Sequence, residues 1–177
     1  MECMTASGRK IVVHEGDITR LAVDAIANAA NSALAGGGGV DGAIHRAGGP
    51  SLMQELRKYG SCPTGSAVAT SAGNLPAKYV FHAVGPVYRD GRHGEPELLA
   101  SCYRACLALA EERGVRTLSF PAISTGVYGY PLRDAAEIAI REVRTHLERP
   151  DSSLDEVIFV VFGKQAHDVY LSILQTQ

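Results

Sequence analysis

The stretch Ala25–His45, AIANAANSALAGGGGVDGAIH, joins a short apolar run to a helical pattern through four consecutive glycines. Its first four residues predict a buried strand that ends on a polar side chain, and residues 41–47 predict the start of a helix. Ordering four adjacent glycines costs about 2–4 kcal/mol, so they indicate a role other than packing. Bare backbone N–H groups at a helix start bind anions. The stretch therefore predicts a strand, a phosphate-binding loop and a helix in succession.

The rest of the chain repeats this alternation of apolar runs and amphipathic patterns. The pattern predicts strands at 10–15, 25–28, 66–70, 79–84, 117–120 and 157–162, and helices at 41–47, 51–59, 98–113, 133–147 and 165–174. Continuously apolar strands are typical of a sheet covered on both faces, and intervening helices favour parallel pairing. We therefore expect an α/β fold, a three-layer α/β/α sandwich with a mixed, largely parallel central sheet. Residues 1–9 are expected to be an N-terminal tail and residues 10–177 a single domain.

Composition narrows the function classes. The chain has 177 residues, 46% of them hydrophobic, and a net charge of −2. This balance gives no electrostatic footprint for nonspecific binding to nucleic acid or to an anionic membrane. The sequence has no apolar run that would cross a bilayer, no signal-peptide pattern and no CxxC pair or zinc-finger spacing among its four cysteines. A cytoplasmic protein without a metal site is expected.

The glycine loop does not fit the common nucleotide-binding motifs. No Gly-Lys-Ser/Thr closes it as in a Walker loop, and no G-x-G-x-x-G opens a long helix after the first strand. The alternative to a phosphate site is a flexible surface connection. A second loop, residues 124–131 with the sequence STGVYGYP, also follows a strand directly. Because ligands of open α/β sheets bind beyond the carboxyl ends of the strands, the two loops are expected to converge on one cleft.

Three polar side chains around the glycines are candidates for chemistry. Asn31 offers donors and an acceptor that suit sugar hydroxyls, and its alternative is an ordinary turn residue. Asp41 is suited to orienting or deprotonating a water molecule, and its alternative is an N-cap of the following helix. His45 lies four residues later on the same helical face, where a structural role supporting Asp41 is expected.

Asp17 and Phe162 have two interpretations each. Asp17 follows the first predicted strand, where it accepts a hydrogen bond from a base amine or caps a helical turn. Phe162 ends the last predicted strand, where it stacks on a base or belongs to the core. In the second loop, Tyr128 is suited to packing on a sugar, and Tyr130 is suited to the core.

Several motifs, in this order and spacing, resemble the macrodomain family and specifically its MacroD-type branch. They are GDIT at 16–19, NAAN at 28–31, the four glycines with VDGAIHRAGGP at 40–50, PTG at 63–65, HAVGP at 82–86, and FPAISTGVYGYP at 120–131. The resemblance covers residues 10–177. Glycohydrolase-type macrodomains carry adjacent glutamates after a glycine motif, and zinc-dependent macrodomains need Cys and His ligands. Neither pattern fits this chain.

The resemblance implies a single macrodomain that hydrolyses ADP-ribose esters without a cofactor. Its substrates would be mono-ADP-ribose on acidic side chains and O-acetyl-ADP-ribose. A non-catalytic ADP-ribose-binding module and an ADP-ribose-1″-phosphate phosphatase are the alternatives. The expected partners are ADP-ribose and ADP-ribosylated proteins or O-acetyl-ADP-ribose, with neither a membrane nor nucleic acid, and a monomer is expected.

The resemblance also implies roles for individual residues. Asp17 would recognise the adenine amino group, the Ile18 backbone an adenine ring nitrogen, and Phe162 would stack on the adenine. Asp41 would be the catalytic carboxylate, supported by His45. Asn31 is assigned to the distal ribose and to the catalytic group. The remaining implied ligand-binding residues are Asn28, Gly36, Gly37, Gly38, Gly39 and Val40 near the distal ribose, and Ser124, Thr125, Gly126, Val127 and Tyr128 at the diphosphate, with Tyr128 against the distal ribose.

Overall fold

The structure, a computed structural model, describes residues 2–176 as alternating strands and helices. The strands are β1 (Glu2–Met4), β2 (Lys10–Glu15), β3 (Ala25–Ala30), β4 (Ala67–Ser71), β5 (Tyr79–Val84), β6 (Thr117–Phe120) and β7 (Glu156–Val161). The helices are α1 (Gly39–Gly48), α2 (Ser51–Tyr59), α3 (Glu95–Glu112), α4 (Leu132–Leu147) and α5 (Lys164–Thr176), with a short 3-10 helix at Ile18–Arg20. All five predicted helices are present, and their ends move by at most a few residues.

The strands form one mixed sheet in the order β1-β2-β7-β6-β3-β5-β4. The five central strands are parallel, whereas β1 and β4 pair antiparallel at the edges. The predicted fold class is therefore confirmed. The predicted tail, residues 1–9, needs a correction because residues 2–4 form β1, with Cys3 opposite Ile11. An edge strand is held by backbone hydrogen bonds, which its side-chain pattern does not reveal.

Helices cover both faces of the sheet because successive strand residues point to opposite sides. In β3, Ala25 and Ala27 belong to the core beneath α3, α4 and α5. Ile26, between them, packs in a second core with Ile44 of α1 and Leu52 of α2. Side chains at even positions of β3 therefore face α1. Within residues 2–176, no helix combines the length and apolar character that crossing a bilayer would require.

Candidate active site

The carboxyl ends of the five parallel strands bring the predicted site residues to one edge of the sheet. Following the strand order, Asp17 comes after β2, Phe162 after β7, Ser124 after β6 and Asn31 after β3. Because β3 and β6 are neighbours in the sheet, the two glycine-bearing loops follow adjacent strands. An extended ligand lying along this edge would meet the four residues in that order.

Asp41 lies in the first turn of α1, but its carboxylate does not cap the helix. The N-cap residue is Gly38, so the N-cap interpretation of Asp41 is wrong. Asp41 is only 5% exposed, and its Oδ1 accepts a hydrogen bond of 2.8 Å from Asn28 Nδ2 and lies 3.3 Å from His45 Nε2. A Cβ added to Gly37 would lie 3.5 Å from the other oxygen, Oδ2. One carboxylate oxygen is therefore held inside the protein, and the other faces the glycine loop.

Asn28 is placed differently from the prediction. It was expected to bind ADP-ribose, but it is fully buried and its Nδ2 contacts Asp41 and the ring of His82. His82 in turn contacts Thr70 on β4. Burial, together with the smaller effect of the nearby His45, lowers the pKa of His82 to about 3. His82, which the motif at 82–86 contains without assigning it a role, and Thr70 are further functional candidates; the signal for both in the sequence is a polar residue that interrupts a buried apolar strand.

Asn31 closes the turn that leads into the glycine loop, as its interpretation as a turn residue predicts. Its Oδ1 accepts from the Ala35 backbone N–H at 3.1 Å, and its Nδ2 donates to the Gly36 carbonyl at 2.8 Å, so the side chain closes a turn. A Cβ on Gly37 would lie 3.8 Å from Nδ2, which places the same amide beside the glycine loop. Leu34 fixes this turn because it is buried and holds a left-handed φ of 53°.

The glycine loop presents a row of unused backbone donors. The N–H groups of residues 36–41 donate no hydrogen bond to any residue in the described range 2–176. Gly36 and Gly39 have φ of 80° and 58°, which a side chain rarely permits. These N–H groups precede and open α1, where the helix dipole also favours negative charge. The arrangement suits a phosphate or a developing oxyanion.

The second loop has comparable features. Ser124 has a φ of 69°, and its buried Oγ finds no hydrogen-bond partner among the described residues. The backbone N–H groups of residues 126–128 likewise find no acceptor in that part of the chain. Tyr130 is buried, with its ring 4.7 Å from that of Tyr88, which confirms the core interpretation of Tyr130. The motif at 82–86 contains Gly85 without assigning it a role: a Cβ there would lie 2.3 Å from Ser124 Oγ, so only glycine lets this loop approach the end of β5.

The β2–β7 end of the cleft carries the two residues expected at a base. Asp17 caps the 3-10 helix because its Oδ1 accepts from the backbone N–H and the hydroxyl of Thr19, and these hydrogen bonds hold the pKa of Asp17 below its ordinary value. Phe162 is 71% exposed, so its interpretation as a core residue is wrong. Ile18 is buried, which leaves only its backbone for contact with a ligand.

One group of side chains outside this cleft has the composition of a metal site. Asp90, His93 and Glu95 bring their ligand atoms within 4.8 Å of one another. Burial opposes ionisation of Glu95, but backbone hydrogen bonds outweigh it and hold the pKa of Glu95 well below its ordinary value. The carboxylate of Glu95 accepts hydrogen bonds from the backbone N–H groups of Arg89, Asp90, Gly91 and His93. Its lone pairs are already used in ordering the loop before α3.

Comparisons with known proteins agree with this geometry. A macro domain protein of Caldanaerobacter subterraneus subsp. tengcongensis is 56% identical over 165 residues, covering 91% of this chain and 93% of the relative. An Escherichia fergusonii protein named O-acetyl-ADP-ribose deacetylase is 51% identical over 172 residues, covering 95% of this chain and 97% of that protein.

Solved structures give the same picture. The Oceanobacillus iheyensis macrodomain with ADP superposes with a TM-score of 0.91 at 39% identity, covering 99% of this chain and 95% of that one. The Trypanosoma brucei macrodomain in complex with ADP-ribose gives a TM-score of 0.85 at 45% identity, covering 92% of this chain and 68% of the other. A model of the Macro domain family matches residues 27–139. The chain belongs to the macrodomain family.

Proposed function

We propose that the protein is a MacroD-type ADP-ribosyl ester hydrolase, which deacetylates O-acetyl-ADP-ribose and removes mono-ADP-ribose from acidic side chains. Relatives at 50–51% identity that are named O-acetyl-ADP-ribose deacetylase support the activity. The observation that carries the proposal is the asymmetric environment of Asp41. Its Oδ1 is bound by Asn28 and flanked by His45, while Oδ2 faces a loop of free N–H groups beside Asn31.

The order of the loops along the sheet edge supports one orientation of the ligand. The adenine would lie at the β2–β7 end, between Asp17 and Phe162, with the Ile18 backbone at a ring nitrogen. The diphosphate would lie on residues 124–128, where unpaired N–H groups and the buried Ser124 Oγ are available. The distal ribose would then reach residues 36–40 and Asn31, with Tyr128 against it.

This placement sets the ester beside Asp41. A water molecule held by Asp41 Oδ2 would add to the acyl carbon, and the glycine-loop N–H groups would stabilise the negative charge on the acyl oxygen. The ester C–O bond then breaks, the water oxygen stays in the carboxylic acid, and the departing ribose oxygen takes up the proton that the water lost. His45, beside Oδ1, is a supporting residue. No cofactor takes part in any of these steps.

The decisive experiment compares wild type with Asp41→Ala on three ligands. These are O-acetyl-ADP-ribose, a peptide carrying ADP-ribose on glutamate, and ADP-ribose-1″-phosphate, with ADP-ribose binding measured in parallel. We expect wild type to hydrolyse both esters and Asp41→Ala to lose about 10²-fold or more of that activity while still binding ADP-ribose. Binding without turnover would indicate a reader module, and turnover of the 1″-phosphate alone would indicate a phosphatase.

Two further measurements refine the assignment. Full activity in Asp41→Ala would remove that residue from the mechanism. Reaction in ¹⁸O-labelled water is expected to place the label in the released carboxylic acid, whereas label in the ribose would move the attack to the anomeric carbon.

We infer a single, monomeric, cytoplasmic macrodomain, with β1 as part of its sheet, that acts on modified proteins or metabolites and does not bind nucleic acid. The net charge of −2 and the absence of a clustered basic segment in the sequence support the last point, that the protein does not bind nucleic acid.

A further inference from the structure

A row of buried polar side chains crosses three strands and ends at Asp41. Thr70 on β4, His82 on β5 and Asn28 on β3 are each at most 3% exposed. Asn28 and His82 are register partners in adjacent parallel strands, so their side chains share the face that α1 covers. Polar groups in such a position are costly unless each finds a partner, which makes the hydrogen-bond pattern informative.

The chemistry of the partners assigns every proton in the row. Thr70 Oγ1 lies 2.8 Å from the Ser71 carbonyl, which only accepts, so the hydroxyl proton goes there. Thr70 Oγ1 therefore accepts from His82 Nε2 at 2.9 Å, and the imidazole carries its proton on Nε2. His82 Nδ1 is then a lone pair, and it accepts from Asn28 Nδ2 at 3.1 Å. The second hydrogen of that amide goes to Asp41 Oδ1 at 2.8 Å.

This pattern leaves one orientation for the Asn28 amide. If the amide rotated by 180°, its oxygen would face both the His82 lone pair and the Asp41 carboxylate, which are acceptors. Asn28 Oδ1 has no hydrogen-bond partner among the described residues, so no contact on that side holds the amide. Because burial keeps the pKa of His82 at about 3, the ring is neutral and Nδ1 stays an acceptor near neutral pH.

We propose that His82 is a positioning residue for the hydrolytic reaction. Its Nδ1 lone pair holds the Asn28 amide as a donor to Asp41 Oδ1, and the carboxylate thereby keeps Oδ2 directed at the glycine loop. His82 is fully buried, so it offers no surface for contact with a ligand. The inference rests on the proposed function, because it assigns the buried row to the orientation of the proposed catalytic carboxylate.

Two substitutions at one position separate positioning from packing. His82→Leu removes the acceptor and leaves an Asn28 N–H unpaired, whereas His82→Asn keeps a side-chain oxygen near the place of Nδ1. His82→Asn leaves part of the ring volume empty, and His82→Leu puts a branched side chain of similar volume but different shape in place of the planar ring, so both are expected to lower the melting temperature. We expect kcat for O-acetyl-ADP-ribose to fall about tenfold or more in His82→Leu and to stay within about threefold of wild type in His82→Asn. The dissociation constant of ADP-ribose is expected to change by less than about threefold in both.

The outcomes that overturn the proposal are distinct. A wild-type kcat in His82→Leu, or equal losses of kcat in both variants, would mean that His82 contributes only to packing. The histidine side-chain ¹⁵N spectrum of wild type supplies a test that needs neither activity nor a variant. It is expected to show the Nε2–H tautomer of His82, and an Nδ1–H tautomer or a charged ring would refute the hydrogen-bond pattern. A protein with the expected tautomer and no hydrolase activity would instead fail the proposed function.

Discussion

Replacing Gly42 with alanine tests whether catalysis and ligand binding depend on the distance between the glycine loop and α1. Gly42 follows Asp41 in the helix and is buried, and a Cβ there would lie 2.6 Å from the carbonyl oxygen of Gly37. Carbon–oxygen contacts are normally about 3.3 Å or longer, so the loop backbone must retreat by about 0.7 Å. Misplacing reacting groups by about 1 Å costs roughly 10²-fold in rate. We expect Gly42→Ala to lower kcat/KM for O-acetyl-ADP-ribose by about 10- to 100-fold and to weaken ADP-ribose binding.

Stability is expected to behave differently from activity in this variant. Alanine is better than glycine inside a helix by about 1 kcal/mol, which offsets much of the strain at the loop. The melting temperature should therefore change by only a few degrees. Gly48→Ala in the same helix is the matched control, because its Cβ would lie 2.8 Å from Leu52 Cδ1 in the core and would not meet the loop. We expect it to lower the melting temperature while leaving kcat/KM near wild type at 25 °C.

Three measurements on both variants decide the matter: steady-state hydrolysis, calorimetric titration with ADP-ribose and thermal unfolding. Wild-type kcat/KM and affinity in Gly42→Ala would refute the reasoning, because the loop would then tolerate displacement. Equal losses of activity in Gly42→Ala and Gly48→Ala would refute it as well, since a general disturbance of α1 would explain both.

Two further predictions concern Phe162 and Glu111, which lie outside the surroundings of Asp41. Phe162→Ala is expected to weaken ADP-ribose binding by about 5- to 100-fold through lost base stacking, with little change in melting temperature because the ring is exposed; unchanged affinity in a calorimetric titration would contradict this. Burial opposes ionisation of Glu111, but hydrogen bonds from Ser152, Ser153 and His146 lower its pKa from 4.5 to about 2. The resulting stabilisation is present above about pH 4.5 and is lost as the pH falls toward 2. In urea titrations wild type should therefore lose more stability between pH 5 and pH 2 than Glu111→Gln, and parallel pH curves would refute this reasoning.

The sequence was sufficient to predict the strands and helices whose bounds follow from the pattern of their own side chains. The strands at 10–15 and 79–84 and the helix at 51–59 have the predicted bounds, because apolar periodicity and flanking glycines are local signals. Strand β1 could not be predicted from such local signals, since only its backbone pairs with β2. Phe162 was ambiguous for a related reason: an aromatic residue that continues an apolar run looks like core until the position of the strand end in the sheet is known.

The role of Asp41 illustrates where local reasoning stops. An aspartate in the first turn of a helix satisfies the pattern for a cap and for a catalytic group equally well. The choice depends on Asn28, which reaches Asp41 only because β3 lies under α1, and on His82, which is 54 residues away from Asn28 and becomes its neighbour only through the register of β3 with β5. Strand register between distant segments is not encoded in either segment alone.

The two ends of the Asp41 carboxylate thus depend on different parts of the fold. Oδ1 is fixed from within the sheet through Asn28 and His82, and Oδ2 is opposed by the glycine loop, whose distance from the helix is set at Gly42. A substitution at His82 loosens the orientation of the Asp41 carboxylate and leaves the glycine loop in place. A substitution at Gly42 displaces the glycine loop and leaves the carboxylate in place. Only the second displaces backbone that the ligand would contact, because His82 is buried below the cleft. Loss of turnover with retained affinity at His82, and loss of both at Gly42, therefore follow from the same geometry, since a single carboxylate links the buried row to the cleft.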